Sequence, residues 1–189
     1  MNASPEITGQ TVFETALGFV GIAWSGAGLV RLCLFERSRS SVERRLDRLG
    51  TTAGRGGDSP RWVAALIDAI KAYADGEEVD FSGVPVDLSG ADGFQRAIYD
   101  AARQLGFGET TTYGELARRA GHAGLPRETG QALGANPVPL VIPCHRILAA
   151  GGKIGGFSAP GGSATKERML ALEGVRVGPA PASQQSFGF

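Results

Sequence analysis

The chain has 189 residues, 42% of them hydrophobic and 20% charged, with a formal net charge of zero. That is the composition of an ordinary soluble globular protein, long enough for one domain or two small ones. It excludes a chain that would bind nucleic acid through overall charge.

No apolar run approaches the roughly 20 residues needed to cross a bilayer, so no membrane association is expected. The opening MNASPEITGQ holds no basic stretch followed by an apolar one. No secretory leader is therefore expected, and the expected compartment is cytoplasmic. In that reducing setting Cys33 and Cys144 would both stay thiols. Residues 1–86 carry 9 Lys and Arg against 11 Asp and Glu, and residues 87–189 carry 10 against 8. Any footprint on DNA must be local and lie in the C-terminal half.

In chain order, Thr11–Thr15, Phe19–Trp24 and Leu29–Phe35 are rich in aromatic and β-branched residues and are separated by glycine-containing turns, which predicts an antiparallel meander. Ser40–Leu49 reads as a helix with Val42, Leu46 and Leu49 on one face. The stretch 51–58, TTAGRGGD, reads as a flexible loop. A second helix is expected from Ser59-Pro60, a cap followed by proline in the first turn, to about Tyr73. Asp80–Leu88 reads as a strand or an extended linker.

From Asp92 the pattern is helical, with Phe94, Ala97, Ile98, Ala101 and Leu105 on one face up to Gly106. A short loop, Gly108–Thr112, leads to helices over Tyr113–Ala120 and Pro126–Ala135, joined by a turn at Gly121–Leu125. The pair is compatible with a helix-turn-helix, although two helices packed on a core is the simpler reading from pattern alone. A last helix spans Ala164–Glu173, and 179–189 reads as a frayed tail.

The chemistry concentrates at Ile142-Pro143-Cys144-His145-Arg146. A cysteine beside a histidine and an arginine sits in an electropositive setting that favours the thiolate, which is the nucleophile. Prolines at 137, 139 and 143 make the segment rigid. If it is extended, neighbouring side chains point to opposite faces, so direct contact between the Cys144 thiol and the His145 imidazole is not expected. Gly151–Gly162 lacks the Gly-Lys-Ser/Thr order of a phosphate loop. His122 and His145 stand outside any cysteine or histidine cluster at ligand spacing, so neither metal nor cofactor is expected.

These residues resemble one family, the O6-alkylguanine-DNA alkyltransferases, also called methylated-DNA–protein-cysteine methyltransferases. The shared motifs run in the family's order: Phe94-Gln95, Thr112-Tyr113-Gly114-Glu115-Leu116-Ala117, Arg127-x-x-Gly130, Asn136-Pro137, Pro143-Cys144-His145-Arg146, Gly155-Gly156-Phe157-Ser158, Lys166 and Glu173-Gly174. The resemblance implies an α+β fold. A small ribonuclease-H-like sheet-and-helix domain without catalytic residues would occupy 1–86, followed by a mainly helical winged helix-turn-helix domain over 87–178 and a flexible tail.

It also implies DNA repair by one-time transfer of the alkyl group from O6-alkylguanine, and conceivably O4-alkylthymine, in double-stranded DNA to Cys144 after base flipping. His145 would act as a base through a bridging water, with Glu173 orienting it. Arg146 would anchor the segment. Asn136 would tie the recognition helix to the active-site strand, and Tyr113 would donate a proton to the leaving guanine.

On the DNA side the resemblance implies Arg127 as the side chain filling the gap left by the flipped nucleotide. Thr112 and Tyr113 would lie near phosphate, and Gly130, Ala132 and Ala135 would keep the helix face small. Phe157, Ser158, Ile147 and Leu133 would form the base pocket. The chain departs from the family at Glu128-Thr129, where small apolar residues are common, and at Phe157, often tyrosine. Arg118 and Arg119 would offset Glu128 as phosphate contacts, although Arg119 is also spaced to pair with Glu115. A protein consumed in use is expected to be a monomer. Two other readings remain: a lesion-binding protein that recruits other repair factors, and a cysteine hydrolase using Cys144, His145 and Glu173.

Overall fold

The computed structural model describes residues 5–48 and 59–178. The expected loop at 51–58, the end of the first helix at Leu49 and the tail at 179–189 lie outside the described residues. The architecture is α+β. Strands β1 (Ile7–Thr15), β2 (Gly18–Ser25) and β3 (Leu29–Glu36) form an antiparallel sheet in that order. The meander is present, and β1 is longer than its aromatic stretch suggests because its first residues still pair with β2 beyond an irregularity at Ile7/Gly9.

Helix α1 (Arg39–Asp47) is capped by the Ser38 side chain and buries Val42 and Leu46. Helix α2 (Arg61–Ala74) starts differently from expectation. Pro60 itself is the N-cap, with extended ψ, and no side chain caps the helix. Its buried residues, Val63, Leu66, Ile70, Tyr73 and Ala74, follow a helical stripe turned toward the rest of the chain.

The segment 80–88 is not a strand. It is extended only locally, where Val86 bridges Leu29 of β3 and the Leu29 amide donates to the Pro85 carbonyl. Helix α3 (Gly93–Arg103) opens with a capping box in which Asp92 and Gln95 satisfy each other's backbone amides. Its buried side is Ile98, Tyr99 and Ala102, rotated from the expected face, because Tyr99 donates to the Ala132 carbonyl at 2.8 Å beneath the next helix pair.

Helices α4 (Tyr113–Arg119) and α5 (Pro126–Gly134) pack on each other, and α6 (Ser163–Leu172) is the last helix among the described residues. The loop before α4 contains a two-residue strand, β4 (Thr111–Thr112), paired in parallel with β5 (Ile147–Leu148). Two residues are too few to show alternation, so no pattern announced it. The pairing positions the site: Tyr113 follows β4 directly, and Cys144–Arg146 precede β5 directly.

One buried apolar cluster runs from Phe13 and Trp24 through Tyr73 and Tyr99 to Ile142 and Met169, so the two halves share a core. Between them the Leu32 amide of β3 also donates to the Pro137 carbonyl at 3.0 Å. Among the described residues no helix is long and apolar enough to cross a membrane.

Candidate active site

Cys144, His145 and Arg146 form a single 3₁₀ turn, not an extended segment, closed by the Arg146 amide donating to the Pro143 carbonyl at 2.9 Å. The turn is buried: Cys144 is 6% exposed and His145 not at all. The loop that delivers it is held by Asn136, just past the end of α5. Its Nδ2 donates to the Ile142 carbonyl at 2.8 Å and its Oδ1 accepts from the Val138 amide at 3.0 Å. The amide thus ties the end of α5 to the cysteine segment. Within the loop Leu140 adopts φ 76°, an unfavourable conformation for a branched residue, and it is kept there by burial in the core.

Burial is the largest influence on the Cys144 thiol and pushes it above its ordinary range; the Asn136 amide and the Lys166 ammonium pull the other way without winning. This reverses the expected thiolate. Burial thus favours the thiol over the thiolate.

Directly after Cys144 in the turn stands a buried histidine–carboxylate pair. His145 Nε2 lies 2.6 Å from Glu173 Oε1. Burial would raise the Glu173 carboxyl, but hydrogen bonds from His145 and Arg146 outweigh it and hold it at about 2. An ionised carboxylate only accepts, so Nε2 carries the ring hydrogen and Nδ1 keeps a lone pair. Among the described residues nothing hydrogen-bonds the buried Nδ1. Burial pulls the imidazole below its ordinary value, keeping it neutral and able to take a proton.

Arg146 serves as an anchor. Its Nε and Nη2 donate to Glu173 at 2.8 and 3.0 Å, and its Nη1 donates to the Leu105 carbonyl at 2.7 Å.

In front of the thiol is a cavity of about 500 Å³, lined by Tyr113, Gly130, Leu133, Cys144, Phe157 and Ser158, and by Pro126, Gly134, Ala149, Gly155 and Gly156. The volume suits a flat heterocycle at the low end of small-molecule sites. Gly155, at φ 69°, is required: a Cβ there would sit 3.4 Å from the Tyr113 ring in a conformation that side chains avoid. Burial, and then Cys144, raise the Tyr113 phenol, so it stays a proton donor.

Several expected positions fall elsewhere. Ile147 is fully buried and does not line the cavity; its carbonyl accepts from Lys166. Ala132 is 4% exposed and faces Tyr99, because Thr129, Ala132 and Leu133 make the inner stripe of α5. The small outer face is Gly130, Gly134 and Ala135. Thr112 uses its hydroxyl to cap α4, accepting from the Glu115 amide at 3.2 Å. Arg127 and Glu128 are exposed at the start of α5, and Glu115 pairs with both Arg118 and Arg119.

Two residues of the site had no assigned role in the sequence. Lys166 is wholly buried, with its ammonium on the Ile147 and Gly156 carbonyls and 5.7 Å from the Tyr113 ring centre. Burial, opposed by Cys144, lowers it to about 8. Tyr73, from the N-terminal half, donates to Glu173 Oε1 at 3.0 Å. Among the described residues no group of three or more histidine, cysteine or acidic side chains is arranged to hold a metal.

An activatable cysteine beside a heterocycle-sized cavity and a two-helix unit define a nucleophilic group-transfer site. Comparison places it. Residues 93–175 match the DNA-binding domain of the 6-O-methylguanine DNA methyltransferases. The chain is 35% identical over 158 residues to a methylated-DNA–protein-cysteine methyltransferase of Methanothermobacter thermautotrophicus, covering 84% of this chain and 81% of that one. It is 40% identical over 116 residues to the protein of that name from Mycolicibacterium paratuberculosis, covering 61% and 68%. Its fold is similar to that of Mycobacterium tuberculosis OGT in complex with DNA, with a TM-score of 0.71 and 30% identity, covering 87% and 92%. The chain belongs to the methylated-DNA–protein-cysteine methyltransferases, a family of DNA-repair alkyl-transfer enzymes.

Proposed function

We propose that this chain repairs O6-alkylguanine in double-stranded DNA by moving the alkyl group irreversibly to its own Cys144. The observation that carries the reading is that Cys144 lines a cavity of about 500 Å³ and is followed directly by His145, whose Nε2 lies 2.6 Å from Glu173 Oε1. His145 Nδ1 takes the thiol proton through a bridging water, and Glu173 stabilises the imidazolium that results. The thiolate sulfur attacks the alkyl carbon in line. The S–C bond forms, the C–O6 bond breaks, and its electron pair leaves with guanine, which takes a proton from the donor side of the pocket at Tyr113. The thioether is not readily cleaved by water or a second thiol, so each molecule acts once.

The base reaches the cavity by leaving the duplex. Arg127, exposed at the start of α5, occupies the gap, while Gly130, Gly134 and Ala135 let the duplex approach the helix. Phe157 and Ser158 wall the base. The division at residues 86 and 87 belongs to this reading too, with the first part supporting and the second reacting.

Intact mass after incubation with duplex DNA holding O6-methylguanine tests the reading. One added methyl group supports it. A protein that binds the DNA and stays unmodified would favour the recruiting role instead.

A further inference from the structure

Glu173 is the most heavily engaged acceptor in the site. Its Oε1 receives hydrogen bonds from His145 Nε2, Arg146 Nη2 and the Tyr73 hydroxyl, and its Oε2 receives them from Arg146 Nε and the Gly108 amide. Four of these five donors come from the C-terminal half of the chain. The fifth, Tyr73, comes from α2, one hundred residues away in sequence.

Tyr73 is placed with care for an aromatic in a core. It is wholly buried on the inner stripe of α2. Phe81 and Phe107 meet its ring edge-on at 6.0 and 6.3 Å, and the His145 ring meets it at 6.4 Å and 68°. Such edge contacts fix the ring plane. With the ring fixed, the hydroxyl is held toward Glu173 Oε1, the same oxygen that binds His145. Burial, reinforced by Glu173, raises the phenol above its ordinary value, so the hydroxyl remains a donor across the working range.

A carboxylate that accepts from several donors shares its negative charge among them. Each donor weakens its pull on any one partner, here the proton on the imidazole. Removing the Tyr73 hydroxyl concentrates charge on Oε1, favours the imidazolium and raises the pH at which His145 becomes a base.

We propose that Tyr73 is a positioning residue for alkyl transfer: its hydroxyl holds Glu173 against the His145 imidazole and moderates that carboxylate, so the N-terminal half of the chain sets the pH at which the base operates. The inference rests on the reading of His145 as the base and Cys144 as the acceptor. It also gives the supporting half a direct part in the chemistry, which a domain that only packs would lack.

Tyr73→Phe keeps the ring and its three edge contacts and removes only the hydroxyl. The rate of methyl transfer from an O6-methylguanine duplex, measured against pH for the wild type and Y73F, reads the effect. The acid-side midpoint should move up by about half a pH unit, which is about a threefold loss of rate below the midpoint and none on the plateau. An unchanged or lowered midpoint, whatever happens to the melting temperature, overturns the proposal and leaves Tyr73 as packing.

Nitrogen-15 NMR titration without DNA separates this outcome from failure of the underlying reading. The chain has two histidines, and His122, whose ring packs edge-on against Phe94, serves as the reference for His145. The His145 titration should move up in Y73F while His122 stays in place. If it does not move, the proposal fails even where transfer to Cys144 is observed. If it moves but the wild type transfers no methyl group, the fault lies with the reading of the acceptor.

Discussion

Glu173 Oε1 and His145 Nε2 stand 2.6 Å apart with neither side chain exposed to solvent. Their contact decides which imidazole nitrogen holds the hydrogen and leaves the other without a hydrogen-bond partner among the described residues. It also draws in Arg146, whose guanidinium the same carboxylate neutralises.

Glu173→Gln keeps the shape and removes the charge. The amide no longer enforces the tautomer, so methyl transfer should slow by about a hundredfold or more, the range of general-base effects. Stability should change in a defined pH window. The Glu173 carboxyl lies at about 2 when folded against its ordinary 4.5. A lowered carboxyl stabilises the fold above the unfolded value, and that stability is lost as pH falls from about 4.5 toward about 2. Melting temperature measured against pH should show that loss in the wild type and less of it in E173Q. Equal acid slopes would contradict the assignment.

Arg127→Ala should act on extrusion of the base and not on chemistry. Since flipping costs a few kcal/mol, loss of the side chain proposed to fill the gap should slow repair of duplex DNA about tenfold or more. Reaction with the free O6-methylguanine base, which needs no flipping, should keep its rate. Equal losses on both substrates would place Arg127 in the catalytic machinery.

Glu128 sets two effects against each other. As an acidic residue in the first turn of α5 it complements the helix dipole, a gain of about 0.3–1 kcal/mol. Exposed beside Arg127, it repels phosphate. Glu128→Gln should therefore lower the melting temperature slightly while tightening binding to duplex DNA, most clearly at low salt where charges are least screened. Titration of labelled duplex at two salt concentrations would show it, and weaker binding would count against this placement of α5.

Much of this was legible in the sequence because the motif residues are closely spaced and the helices carry their own boundary signals. Cys144, Tyr113, Leu133, Phe157 and Ser158 do share one cavity, and Asn136 does bridge to the cysteine segment. Thr129, Ala132 and Leu133 recur at helical spacing as the inner stripe of α5, so Ala132, expected to keep the DNA-facing surface small, packs inward instead.

What the sequence could not show was burial. Charge spacing around Cys144 suggests a thiolate, and only the packed structure reveals that desolvation outweighs it. Tyr73 is indistinguishable in sequence from any core aromatic; its partner is set by tertiary packing between two halves. The same holds for Lys166, whose long apolar stem hides an ammonium in the interior.

The central claim is that Cys144 is a consumed acceptor. Protein digested after reaction with excess O6-methylguanine duplex, with the methyl group located by peptide mass and its yield followed over time, tests it most directly. The label should appear on the peptide containing Cys144, level off at one methyl group per protein molecule and be absent from Cys144→Ala. Repair that continues past one equivalent, or a methyl group carried elsewhere, would contradict it.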